Sequence, residues 1–166
     1  MIAIAPGIDP RCHSNVRLTP PKPLPHVSRR ALSKVRHRIE PPKLCDVCGW
    51  FNIELVENKE VYEGRSFGDW PYCYVCRNCK AYVGLHSHTD LPLGIMANVF
   101  MREARGAAKT IFQTLTRAKF GNDRNKAYWW LSVVAAIPLE LCHFSMFDED
   151  TATRVMHLCY DELFNI

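Results

Sequence analysis

Two Cys-x-x-Cys pairs constrain this chain more than any other feature. Cys45-Asp-Val-Cys48 and Cys76-Arg-Asn-Cys79 are separated by 27 residues. A tetrahedral Zn²⁺ site needs four soft or borderline ligands, and two such pairs supply them as tight turns whose amides point at the sulfurs. Gly49 can take the positive φ that such a turn needs. In the second turn Lys80 stands at that place, and Asn78 is the residue that tolerates unusual φ. The spacing predicts one structural Zn²⁺ held by Cys45, Cys48, Cys76 and Cys79 in a zinc ribbon. In small metal-dependent modules zinc contributes about 10–16 kcal/mol, enough to order a region with a thin core of its own.

The other thiols leave a choice to be made. Five of the eight cysteines fall between Cys45 and Cys79, and Cys73 makes the second pair read CxxCxxC. The strand-like AYVGL after Cys79 favours Cys76 with Cys79, leaving Cys73 as a core thiol or spare ligand. His86 and His88 could also coordinate, but four thiolates already complete the shell. The formal charge of −2 on such a centre is expected to be offset by Arg77, Lys80 and backbone amides. A redox dithiol would sit at a strand end and open a helix, whereas a strand follows here. A catalytic Cys/His pair would need a lone activated cysteine with an oriented base. A closed four-thiolate site keeps no position for an activated water. The chain is therefore expected not to be an enzyme and to have no small-molecule substrate.

Three regions follow from composition. Residues 1–43 hold eight of the eleven prolines and carry nine Lys/Arg against two Asp/Glu, while the rest of the chain is net acidic. Proline fixes φ and removes a donor, so this part reads as an extended basic arm with little core. One island, SRRALSKVRHRIE, has a helix cap at Ser28, apolar Leu32, Val35 and Ile39, and cations Arg29, Arg30, Lys34, Arg36 and Arg38. Those five cations are the candidate nucleic-acid or partner contacts, and a solubilising leader is the plainer reading. Residues 44–90 form the ribbon module, with FNIELVE and EVYEGR read as a hairpin about Asn58-Lys59. Residues 91–166 turn helical, in one compact domain with 44–90. A first helix is expected from near Pro92 with Phe100, Ala104, Ala107, Ile111 and Leu115 inward, a second from Asn122 or Asp123 to Pro138, and a third from about Asp148. The fold class is α+β: a small ribbon packed on about three helices, preceded by the arm.

The order of motifs resembles a zinc-finger-containing domain family of bacteriophage and prophage proteins. It is carried by Cys45-x-x-Cys48, Trp70, Cys76-x-x-Cys79, AYVGLH, LPLGIMAN, a helix with Arg102 and Arg105, then Ala127 to Leu131, and His143 to Asp148. It covers about residues 44–160. Lys109 replaces an expected histidine and Ser145 an expected glycine. The resemblance implies zinc and a phage origin, and it brings no activity with it.

The expected function is a non-enzymatic phage accessory protein that binds nucleic acid, or a host nucleic-acid machine such as RNA polymerase, through arm and ribbon. An arm neutralising about five phosphates predicts a salt slope near −4.5. The alternatives are a virion component whose arm laces along neighbours through Leu24, Leu32, Val35 and Ile39, or an inhibitor of a host defence enzyme. No segment approaches the roughly 18 apolar residues of a membrane span, and MIAIAPGIDP makes a poor signal peptide. The expected location is the host cytoplasm, with the virion as the alternative.

Overall fold

Proline and charge predict a loose arm, yet its few apolar side chains find partners. In a computed structural model, which describes residues 4–165, the chain divides into two compact units between Asn98 and Val99. Met1–Ala3, the start of the leader segment read above, and Ile166 lie outside the described residues.

In the first unit, Ser28 caps a four-residue helix α1 (Arg29–Leu32), its oxygen accepting the Ala31 amide at 3.3 Å. The turn buries Leu32 completely beside Val35 and Leu91. Leu24 enters a different cluster, the ribbon core around Tyr74, Val83 and Met96. Strand β1 (Ile4–Pro6) pairs antiparallel with β2 (His37–Ile39). Residues 4–43 are therefore folded into this unit instead of extending as an arm. Leu32 and Val35 share a small cluster with Cys12, Leu18 and Val27 of the leader, closed by Leu91 from the loop after the ribbon, whereas Leu24 lands on apolar side chains of the ribbon itself.

The ribbon is a three-stranded antiparallel sheet in the order β3 (Ile53–Glu57), β4 (Tyr72–Cys76), β5 (Tyr82–Gly84). The expected hairpin about Asn58 does not form. Asn58–Glu60 is a 3₁₀ turn, and the Asn58 side chain donates through Nδ2 to the Phe67 carbonyl at 2.8 Å and accepts at Oδ1 from the Phe67 N–H at 3.2 Å. That brace closes a loop over EVYEGR, so β3 pairs with YCYVC instead. Alternation along β4 sends Cys76 and Tyr74 to one face and Cys73 and Val75 to the other.

The second unit is helical: α2 (Val99–Phe120), α3 (Arg124–Val134) and α4 (Glu149–Phe164). α2 starts seven residues after Pro92 because the intervening chain pairs back on β5. Ala97 and Tyr82 exchange backbone bonds of 3.0 and 3.1 Å, and the Leu93 amide donates to the Gly84 carbonyl at 2.9 Å. The buried face of α2 is Met101, Ala108, Phe112, Leu115 and Thr116; of the expected residues Leu115 is on it and Ala104 and Ile111 pack against it, while Ala107 is exposed and Phe100 is 63% exposed. Leu131 of α3 and Ala152, Val155 and Cys159 of α4 complete the core. Asp123 and Asp148 cap α3 and α4, as their positions predict. α3 stops at Val134, short of Pro138, where Ala136 takes φ +51°. Sheet and helices together make the fold α+β, as expected.

Candidate metal centre

Each Cys-x-x-Cys segment forms the same turn. In the first, the Gly49 amide donates to the Cys45 carbonyl and the Cys45 amide to the Trp50 carbonyl, both at 2.8 Å. In the second, Lys80 donates to Cys76 at 2.9 Å and Cys76 to Ala81 at 2.8 Å. The positive φ falls at Gly49 (+70°) and at Lys80 (+63°), so Lys80 and not Asn78 carries the left-handed residue. The Arg77 amide, donating to the Asn52 carbonyl at 2.9 Å, ties the second turn to the chain entering β3.

These turns bring four sulfurs together. Cys45 and Cys79 Sγ are 3.5 Å apart, Cys48 and Cys76 Sγ are 3.6 Å apart, and all four ligand atoms lie within 4.8 Å of one another. A tetrahedron with Zn–S near 2.3 Å has edges of about 3.8 Å, so the spacing fits one zinc ion. Cys73 lies on the opposite face of β4, buried with Val56 and Val75, and takes no part.

Without a metal, burial and local polarity pull Cys45, Cys48 and Cys79 in different directions. Burial pushes the Cys45 thiol up to about 12, against the amides of Cys48 and Val47 that pull it down. Cys48 is exposed and falls to about 6, first through the Asn78 side chain, 3.5 Å from its sulfur, and then through the Trp50 amide. Burial raises Cys79, opposed by the Ala81 amide. The cations expected to offset the centre are engaged elsewhere. Arg77 pairs with Glu54 and Glu60 at 2.6 and 2.9 Å, and Lys80 Nζ donates to the Arg77 carbonyl at 3.0 Å. Backbone amides and Asn78 do that work instead.

A family model of a zinc-finger-containing domain matches residues 41–162, well over half of the chain. The chain belongs to that zinc-finger-containing domain family. Its four-cysteine cluster accordingly fits one structural zinc ion. No curated protein and no solved structure matches the chain.

The family match begins at residue 41, past the part of the leader where the other candidate residues lie. Arg29 Nε donates to the Ser14 carbonyl at 2.9 Å and its Nη2 to that of Val16. Arg38 pairs with Glu40 at 3.0 Å and reaches the Ile8 carbonyl at 3.3 Å. Both are spent on holding the leader. Arg30, Lys34 and Arg36 are exposed, with no ion pair among the described residues. His86 is half-buried, and burial lowers its pKa. His88 meets His26 at 3.1 Å, away from the sulfurs. Two residues were missed in the sequence. Trp50 and Phe51, directly after the first turn, are 49% and 72% exposed and stack at 5.4 Å with planes 16° apart. Adjacency to Gly49 gave no signal of this, since the residue leaving the second knuckle, Ala81, is fully buried.

Proposed function

We propose that the chain is a non-enzymatic binding module for single-stranded nucleic acid, a bacteriophage accessory protein by origin. The observation that carries this reading is the exposed Trp50–Phe51 stack on the turn that holds Cys48. Aromatic faces held rigid by a metal offer bases a platform without ordering cost, worth about 1–3 kcal/mol per base. Arg30, Lys34 and Arg36 add charge in the same unit. With Arg29 and Arg38 engaged internally, the charge-driven part is smaller than the sequence suggested. Three phosphate contacts give a salt slope of about −2 for a single strand.

Exposed Leu44, 59% open beside the first turn, gives the stack an apolar neighbour. That favours, as a second reading, docking on a protein of a nucleic-acid machine. Fluorescence anisotropy with a labelled oligo(dT) tests the first reading. Trp50→Ala should weaken binding about tenfold, and Arg30→Gln with Lys34→Gln should flatten the salt slope. No binding near physiological salt, with one stoichiometric protein captured through Trp50, would move the function to the second.

A further inference from the structure

The helical unit contains a site that the zinc centre does not explain. On α2, Lys109, Phe112 and Arg117 fall at helical spacings on one side, and the turn into α3 sets Arg124 and Tyr128 against them. With Phe144 they line a cavity of about 540 Å³, inside the range of small-ligand pockets. Its walls are chemically one-sided. They hold three cations and no carboxylate. Among the described residues none of those cations belongs to an ion pair. The nearest acid in sequence, Asp123, is committed to capping α3 through the amides of Asn125 and Lys126.

Half of the remaining lining is aromatic. Phe112 lies 4.8 Å from Tyr128 and 5.4 Å from Phe144, ring centre to ring centre. Gln113 and Asn122 add amides that both donate and accept. Phe112 and Phe144 are core residues that back the half-buried Tyr128 ring, while the three cations are exposed, so the cavity offers one aromatic wall and one positive rim. A planar ring bearing a phosphate uses both.

We propose that this cavity binds a nucleoside 5′-phosphate unit, with Lys109, Arg117 and Arg124 on the phosphate and Tyr128, backed by Phe112 and Phe144, against the base. The unit is either a free nucleotide or the phosphorylated end of a strand. This inference does not rest on the ribbon reading, because every residue it uses lies in the second unit.

Calorimetric titration of the zinc-loaded full chain with each of the four nucleoside 5′-monophosphates tests it, beside inorganic phosphate and an unphosphorylated nucleoside. A second arm uses 5′-phosphorylated oligo(dT) on the Trp50→Ala chain, which silences the ribbon stack. Lys109→Gln and Arg117→Gln alter exposed side chains and should leave the helical circular dichroism unchanged, and each should weaken binding about tenfold. Lys109→Arg should restore it. Saturable mononucleotide binding lost in these variants and retained in Trp50→Ala assigns the free nucleotide. Binding only of the phosphorylated strand, with the same losses, assigns the strand end. Absence of binding in both arms, affinity indifferent to the three cations, or phosphate bound as tightly as the nucleotides would overturn the proposal. None of these results bears on whether Trp50→Ala weakens unphosphorylated oligo(dT), so the two readings fail separately.

Discussion

Arg11 and Asp90 meet through two parallel hydrogen bonds, each 2.8 Å long, across 79 positions of sequence. The same guanidinium grips Asp9 on its other side, at 2.8 Å, and both carboxylates are buried. A fork of this kind fixes direction as well as distance. It pins the leader to the loop after β5, where the Tyr74 hydroxyl donates to the Asp90 carbonyl and the Trp70 indole to the Thr89 carbonyl.

Removing one partner should release the leader. Arg11→Ala leaves two buried carboxylates without a cation, a loss of about 3–5 kcal/mol when the site is fully dry. The Arg11 side chain is 37% exposed, so screening reduces this to about 2–3 kcal/mol. Urea unfolding of the zinc-loaded chain should show a lower midpoint, with proteases cutting first between α1 and the first knuckle. An unchanged midpoint would mean that apolar contacts of Leu32 and Leu91 hold the leader alone.

Asp148 should give the helical unit an acid-sensitive cap. Its Oδ1 accepts the Thr151 amide at 2.8 Å, and the Thr151 hydrogen bonds hold its carboxyl below the ordinary 3.8. A depressed carboxylate stabilises above its unfolded pKa, and that contribution fades as pH falls through the folded value. Asp148→Ala should cost about 1 kcal/mol at neutral pH. Asp148→Asn keeps the cap and should flatten the loss of helical signal below pH 3.8. Parallel acid curves for wild type and Asp148→Asn would contradict this.

The two knuckles carry the same left-handed residue with different tolerance. Gly49→Val places a β-branched side chain at φ +70° and should cost roughly 1–3 kcal/mol, read as weaker zinc retention against a chelator. Lys80→Gly removes that strain at the other turn and should retain zinc at least as well. Weaker retention in Lys80→Gly would show that the Lys80–Arg77 contact outweighs the backbone term.

What could be read in the sequence was local. Zinc ligands follow from two-residue gaps, and Asp123 and Asp148 announce helices because a cap acts over three residues. Leu32 and Arg11 were illegible as anchors, since their partners Leu91 and Asp90 lie far along the chain and nothing near the leader names them. Asn58 looked like a hairpin tip because its bonds to Phe67 are invisible at short range. Pro92 looked like a helix start because pairing of residues 92–97 with β5 is likewise a long-range event. The cavity beside Tyr128 needed the turn between α2 and α3 to gather its cations.

Strand alternation makes Cys73 and Cys76 unequal despite their CxxC spacing. Cys76 faces the sulfur cluster, and Cys73 is buried on the other face, its thiol pushed up to about 12 by burial. A neutral, enclosed thiol is a poor nucleophile. Cys73→Ser should therefore keep one zinc per chain by elemental analysis, and native Cys73 should resist iodoacetamide at pH 8. Cys76→Ser should lose the metal and, with it, the antiparallel pairing of β3 with β4, because metal binding and folding share one free energy. Zinc lost from Cys73→Ser and retained in Cys76→Ser would reassign the fourth ligand and dismantle the ribbon described above.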